Sequence, residues 1–203
     1  MPAANLTHDE AEARAAVVSA PAYEVDLDLT GEGDVFRSAT TVRFRATPGA
    51  STFIEATTRE VHELVLNGRT LDPSAVGDGG RIRLDDLQAE NELRVLATCE
   101  YTNTGEGLHR FVDPVDDAVY LYTEFAVAQA NRGYAVFDQP DLKASVCFTI
   151  TAPRPSGRAG RTPRTRRSPP RLRTRCRGTP RRRPGPRSGA GPVSYTHLTL
   201  PTN

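Results

Sequence analysis

His62-Glu63-Leu64-Val65-Leu66 comes nearest in this chain to a metal-binding element. A zinc peptidase needs His-Glu-x-x-His on a helix, which sets two imidazoles one turn apart on one face. Here Leu66 stands at the second histidine, and Val61, Leu64, Val65 and Leu66 favour a strand. One surface histidine remains, and one histidine cannot hold zinc. Gly105-Glu106-Gly107 is too short for a dinucleotide loop and reads as a turn. No G-x-S-x-G elbow, P-loop or dinucleotide fingerprint occurs, so no catalytic residue and no metal ligand is assigned. Glu124 differs, because it sits in an otherwise apolar and aromatic stretch, where a carboxylate costs energy unless it has a partner.

The elements that must position these residues are short strands. Thr7-His8-Asp9-Glu10 reads as a capping box that opens a short alanine-rich helix ending before Pro21. Tyr23, Val25, Leu27 and Leu29 then alternate with Glu24, Asp26 and Asp28, the period of a half-buried strand. Gly31-Glu32-Gly33-Asp34 turns the chain into a partner strand from Phe36 to Phe44, a β-hairpin signature. Further strands are predicted over Thr52–Ala56, Val61–Leu66, Arg81–Leu84, Glu92–Glu100, Ala118–Phe125 and Ala144–Thr151. Asn67-Gly68 and Gly77-Asp78-Gly79-Gly80 punctuate them. The expectation is an all-β fold, a saddle-like β-sandwich with one short leading helix.

Charge divides the chain into unlike parts. Of 26 basic residues, 14 are arginines between positions 153 and 192, where there is no lysine and no acid. The other 12 face 25 acidic residues, so the body is acidic and repels phosphate; nucleic-acid binding through it is not expected. No apolar run is long enough to span a membrane. His8, Asp9, Glu10 and Glu12 stand where an export signal needs apolar residues. Cys99, Cys147 and Cys176 form no CxxC and no even set, so reduced thiols and a cytoplasmic location are expected.

At Ala152 the grammar changes. Between Pro153 and Pro192 only Ala159, Leu172, Cys176 and Ala190 are apolar, too little to offset chain entropy, and a disordered tail is predicted. A GC-rich gene read out of frame yields this mixture of Arg, Pro, Gly, Ala and Ser. Residues 193–203 are more specific: Val193 to Thr202 are encoded by a string that resembles a transposon mosaic-end adapter used in sequencing libraries. The expected divisions are a β domain over 1–152, an out-of-frame segment over 153–192 and an adapter-like artefact over 193–203. The rival reading is a non-enzymatic β-sandwich binding module with a basic nucleic-acid-binding tail.

Three ordered stretches carry a family resemblance. Tyr101 to Pro114 holds a Gly107-Leu108-His109-Arg110 turn, and Tyr120-Leu121-Tyr122-Thr123-Glu124-Phe125 follows it. The third is Phe137-Asp138-Gln139-Pro140-Asp141-Leu142-Lys143-Ala144. In this order and spacing they resemble the M1 family of zinc aminopeptidases, whose pattern is Gly-Leu-x-Arg, then Thr-Gln-x-Glu, then Phe-Asp-x-Pro-x-x-Lys-Ala. The resemblance covers residues 1–152.

It implies an amino-terminal domain that caps the catalytic domain of a larger peptidase and binds the free α-amine of peptide substrates. The catalytic domain, with its zinc, would be a missing partner; this fragment itself would bind no zinc and be inactive alone. The chain departs from the pattern at one point. The family reads Thr-Gln-x-Glu, whereas Glu124 stands at the glutamine and Ala126 at the amine-binding glutamate. Residues two apart on a strand share a face, so Glu124 and Ala126 are the substrate-binding candidates. Either Glu124 reaches the ammonium from one step along the strand, or it is a spectator and Asn131 or a sequence error accounts for the mismatch. Asp138, Asp141 and Lys143 are read as structural, with Pro140 stiffening the loop and Asp138 accepting from local backbone donors.

Overall fold

The computed structural model describes residues 6–152, apart from 74, 75, 78, 79 and 127, together with residues 171–173. Helix α1 (His8–Val17) opens on Thr7, whose hydroxyl accepts from the Glu10 amide while the Glu10 carboxylate accepts from the Thr7 amide. The predicted capping box is present. The helix gives way directly to β1 (Val18–Asp28), which starts earlier than its alternation suggests. Its register against β2 (Val35–Ala46) shifts between Ser19 and Ala22, and Ala20 takes a φ of 50°. Pro21 lies inside this irregularity, where its missing N–H costs no ladder bond.

The other strands are β3 (Thr52–Glu55), β4 (Glu60–Leu66), β5 (Arg69–Thr70), β6 (Val76–Gly77), β7 (Arg81–Leu84), β8 (Glu90–Glu100), β9 (Gly107–Val112), β10 (Val119–Glu124), β11 (Ser145–Thr151) and β12 (Arg171–Arg173). Seven form one sheet in the order β12-β11-β1-β2-β8-β4-β5; β3-β7-β6 and β10-β9 form two smaller ones. The fold is all-β with one short leading helix, as expected. Alternation decides which face is buried: along β1, Tyr23, Val25 and Leu27 are buried while Glu24, Asp26 and Asp28 are exposed. Phe36, Val42 and Phe44 of β2 and Leu93, Val95 and Ala97 of β8 join them in one cluster, together with Ile54, Ile82 and Leu84 from the three-stranded sheet. Two sheets thus share one core.

Two arrangements were not foreseen. β1 pairs in parallel with β11, from Ala22 opposite Ser145 to Asp28 opposite Thr151, so the two ends of the domain meet. Arg171–Arg173 also pairs antiparallel with β11. An open sheet edge offers backbone groups to any strand whatever its side chains, so a segment poor in apolar residues can still add one. The rest of the segments expected to be disordered or artefactual, 153–192 and 193–203, lies outside the described residues. Cys99 is a free, buried thiol, pushed up to about 12 by burial, whereas Cys147 on β11 is disulfide-bonded. The expectation of three reduced thiols is corrected here, because spacing along the chain does not reveal which segments the ladders bring together.

Candidate functional site

The stretch that carries the family pattern is built around Phe125. Its ring stands 5.8 Å from the Tyr134 ring in a T-shaped contact and fills a notch over Gly133, where an added Cβ would lie 2.8 Å from Phe125 Cζ. Tyr134 in turn packs edge-on against Phe148 of β11 and Tyr23 of β1. Burial pushes the Tyr134 phenol up to about 12, so it stays neutral at physiological pH. With Phe125 directed inward, its neighbours Glu124 and Ala126 are both exposed.

Glu124 is the last residue of β10, opposite Gly107 of β9. Among the described residues its carboxylate makes no hydrogen bond or ion pair with a side chain or backbone group. The expectation that it lies in an apolar setting and needs a partner is corrected: every residue of β10 is half-buried or exposed, and Glu124 itself is exposed, so water solvates the carboxylate. Ala126 lies just past the strand, where its carbonyl accepts from Gln129 N–H at 3.0 Å and starts a turn. A 3-10 turn, Ala130–Arg132, follows.

That turn is clamped from below. Asp138 Oδ2 accepts from Asn131 Nδ2 at 3.1 Å and from the Asn131 amide at 3.4 Å. Asn131 Oδ1 accepts from the Thr57 hydroxyl at 2.9 Å, and its carbonyl accepts from the Thr57 amide at 2.8 Å. Asn131 is 6% exposed, so it serves the clamp rather than solvent. Gly107 has a φ of +69°, and a Cβ there would lie 3.1 Å from Arg132 Cβ and Cδ; the arginine stem occupies the space a side chain would need. In the same loop Asp141 Oδ2 accepts from Gln139 Nε2 at 3.1 Å, and Lys143 Nζ donates to the Pro140 carbonyl at 2.6 Å. Asp138, Asp141 and Lys143 therefore have the structural duties expected of them.

A buried ion pair lies on the other side of the loop. Arg14, from α1, donates through Nη1 to both Glu55 oxygens at 2.8 and 2.7 Å and through Nε to Gln139 Oε1 at 2.9 Å. Its guanidinium lies 4.9 Å from the Phe53 ring centroid and 5.8 Å from that of Phe137. Glu55 Oε2 also accepts from the Asp138 amide at 3.3 Å, linking this pair to the clamp. Sequence reasoning missed Arg14; a lone arginine in a polar helix gives no sign that it is the face turned inward.

His62 is far from this constellation in role. On β4 its Nε2 shares a hydrogen bond with the Thr98 hydroxyl at 2.7 Å, and Leu66 is buried in the core. Zinc finds no donor set here: among the described residues, no group of three or more His, Cys, Asp or Glu side chains converges. No helix among them is long and apolar enough to cross a membrane.

No family model matches the chain. A curated relative, aminopeptidase N of Streptomyces lividans, is 55% identical over 157 residues, an alignment that takes in 75% of this chain. The same alignment takes in 18% of the relative, so the chain spans under a fifth of that protein's length. At this level of identity the aligned part of the chain is similar to one part of an aminopeptidase N.

Proposed function

We propose that residues 1–152 are the amino-terminal, substrate-amine-binding domain of a zinc aminopeptidase that removes amino-terminal residues from peptides. Glu124 is the group that meets the α-ammonium, and Ala126 leaves room for it. The observation that carries the reading is an exposed carboxylate, unpartnered among the described residues, between the inward-turned Phe125 and the clamp on Asn131, in a homologue of aminopeptidase N. A substrate with a free amino terminus brings the cation that this carboxylate lacks, and a charge-assisted bond of that kind is worth about 1.5–3 kcal/mol. Glu124 and Ala126 both face solvent, so a carboxylate one step along from the family's position reaches the same space.

The catalytic machinery belongs to the parent's remaining length. Zinc bound there would supply an activated water at neutral pH. This chain's residues bind and orient the amine and leave bond cleavage to that partner, so the fragment alone is inactive. The test is a chimera in which residues 6–152 replace the matching segment of the Streptomyces lividans aminopeptidase N. It should hydrolyse aminoacyl chromogenic substrates with free amines and ignore their N-acetyl counterparts. A folded, zinc-loaded chimera that cleaves both equally would refute amine recognition.

A further inference from the structure

Glu124 ends its strand, and the chain beyond it turns at Ala126 and winds through Ala130–Arg132. What fixes this segment comes from elements distant in sequence. The stem of Arg132 lies over Gly107, the residue paired with Glu124 across the hairpin, and Arg132 Nε donates to Gln129 Oε1 at 2.6 Å. Asn131, the middle residue of the 3-10 turn, is bound by Asp138 and Thr57. The turn beside the carboxylate is therefore only as fixed as Asp138.

Asp138 is fixed in its turn by Glu55 and α1. Glu55 exchanges backbone hydrogen bonds with Val136 at 3.0 and 2.9 Å, and its Oε2 accepts from the Asp138 amide. The carboxylate of Glu55 is aimed by Arg14, whose Nη1 meets both its oxygens. Arg14 Nε also donates to Gln139, the residue after Asp138, and Gln139 Nε2 donates to the Ala11 carbonyl of α1 at 2.9 Å. The leading helix thus holds the Asp138–Gln139 segment from two sides. Arg14 and Glu55 are both buried, and a buried ion pair adds little net stability over an apolar pair of the same shape. Its planar fork does supply direction, which an apolar pair cannot.

We propose that Arg14 is a positioning residue for amine binding. Through Glu55, Asp138 and Asn131 it holds the 126–132 turn, and with it Glu124, where the α-ammonium arrives. A carboxylate placed beforehand meets the ammonium without first losing freedom of its own, and a misplacement of about 1 Å can cost about a hundredfold. The inference rests on the proposed role of Glu124.

The test uses the chimera and free-amine aminoacyl chromogenic substrates, at a temperature well below unfolding. Arg14→Lys keeps the charge but loses the fork; it should raise KM about fivefold or more, with kcat within about twofold and zinc content unchanged. Arg14→Met with Glu55→Gln should keep the raised KM even where its melting temperature recovers, because nothing then aims residue 55 at the Asp138 amide. In a Glu124→Gln background, Arg14→Lys should change KM by less than about twofold, since the group it positions is gone. A merely structural role would instead multiply the two losses. If Glu124→Gln alone leaves KM unchanged, the amine reading fails and takes this inference with it. If Glu124→Gln raises KM but both Arg14 variants leave it unchanged, or the losses multiply, Arg14 does not position the carboxylate and the proposal is overturned.

Discussion

Arg14 shows how a single side chain can organise a loop 125 residues away in sequence. It is 2% exposed, and its partner Glu55 is 6% exposed, so neither charge is solvated by bulk water. Removing one member of such a pair strands the other, at a typical cost of about 3–5 kcal/mol. Arg14→Met is therefore expected to destabilise the domain by about that amount in urea denaturation. Arg14→Met combined with Glu55→Gln should recover part of the loss, because no unpaired buried charge then remains. Arg14→Lys should rescue poorly, since an ammonium cannot span both Glu55 oxygens, Gln139 and the Phe53 face together. A double variant no more stable than Arg14→Met alone would show that the pair is not the source of the effect.

At the scale of elements, α1 is held to the sheets by ions more than by apolar packing; Arg14 is its one buried residue. Glu10 forms the second attachment, accepting from Arg81 Nη1 at 2.7 Å and Nη2 at 3.1 Å. The Arg81 bonds, aided by the Thr7 amide, hold the Glu10 carboxyl down at about 2, against an ordinary value of 4.5. A carboxyl depressed by folding adds stability above its unfolded value and loses it as pH falls through the folded one. The melting-temperature difference between the chain and its Glu10→Gln variant should thus be full above about pH 5 and close on the way to pH 2. A difference independent of pH would point to lost packing instead. Gly133 makes the parallel case for β10: Gly133→Ala pushes a methyl into the Phe125 ring and should cost about 1–3 kcal/mol by overpacking.

Elements also mark what was legible in the sequence. The β1–β2 hairpin could be read because one face is buried and alternation is strict from Tyr23 onward. Strand β9 was missed; Gly105 to Gly107 reads as a turn, and His109 and Arg110 interrupt the apolar pattern of the strand that follows. The parallel β1–β11 pairing was illegible because it joins segments more than a hundred residues apart, and no local pattern encodes a partner. Glu124 was found through a motif, but its exposure was not, since an aromatic strand suggests burial and this hairpin leaves its aromatics uncovered.

At the scale of the whole molecule, the described residues combine a core shared by two sheets with a hairpin, β9–β10, on which large hydrophobic side chains are exposed. The homologous enzyme is more than five times the length of the aligned segment, and among the described residues of this chain no group of three or more His, Cys, Asp or Glu side chains converges. We propose that the family sequence ends near residue 152. Sequencing the source DNA past codon 152 should show family-like coding in a shifted frame, followed by adapter; one intact frame without adapter would favour a binding module with a genuine basic tail.

The central claim is that Glu124 holds the substrate's amine, and kinetics of the chimera test it most directly. Glu124→Gln should lower kcat/KM for free-amine substrates about tenfold to a hundredfold, the equivalent of one charge-assisted hydrogen bond. Ala126→Glu in that background should recover part of the loss by returning a carboxylate to the same face. Near-normal kcat/KM for Glu124→Gln would contradict the account and place the amine elsewhere.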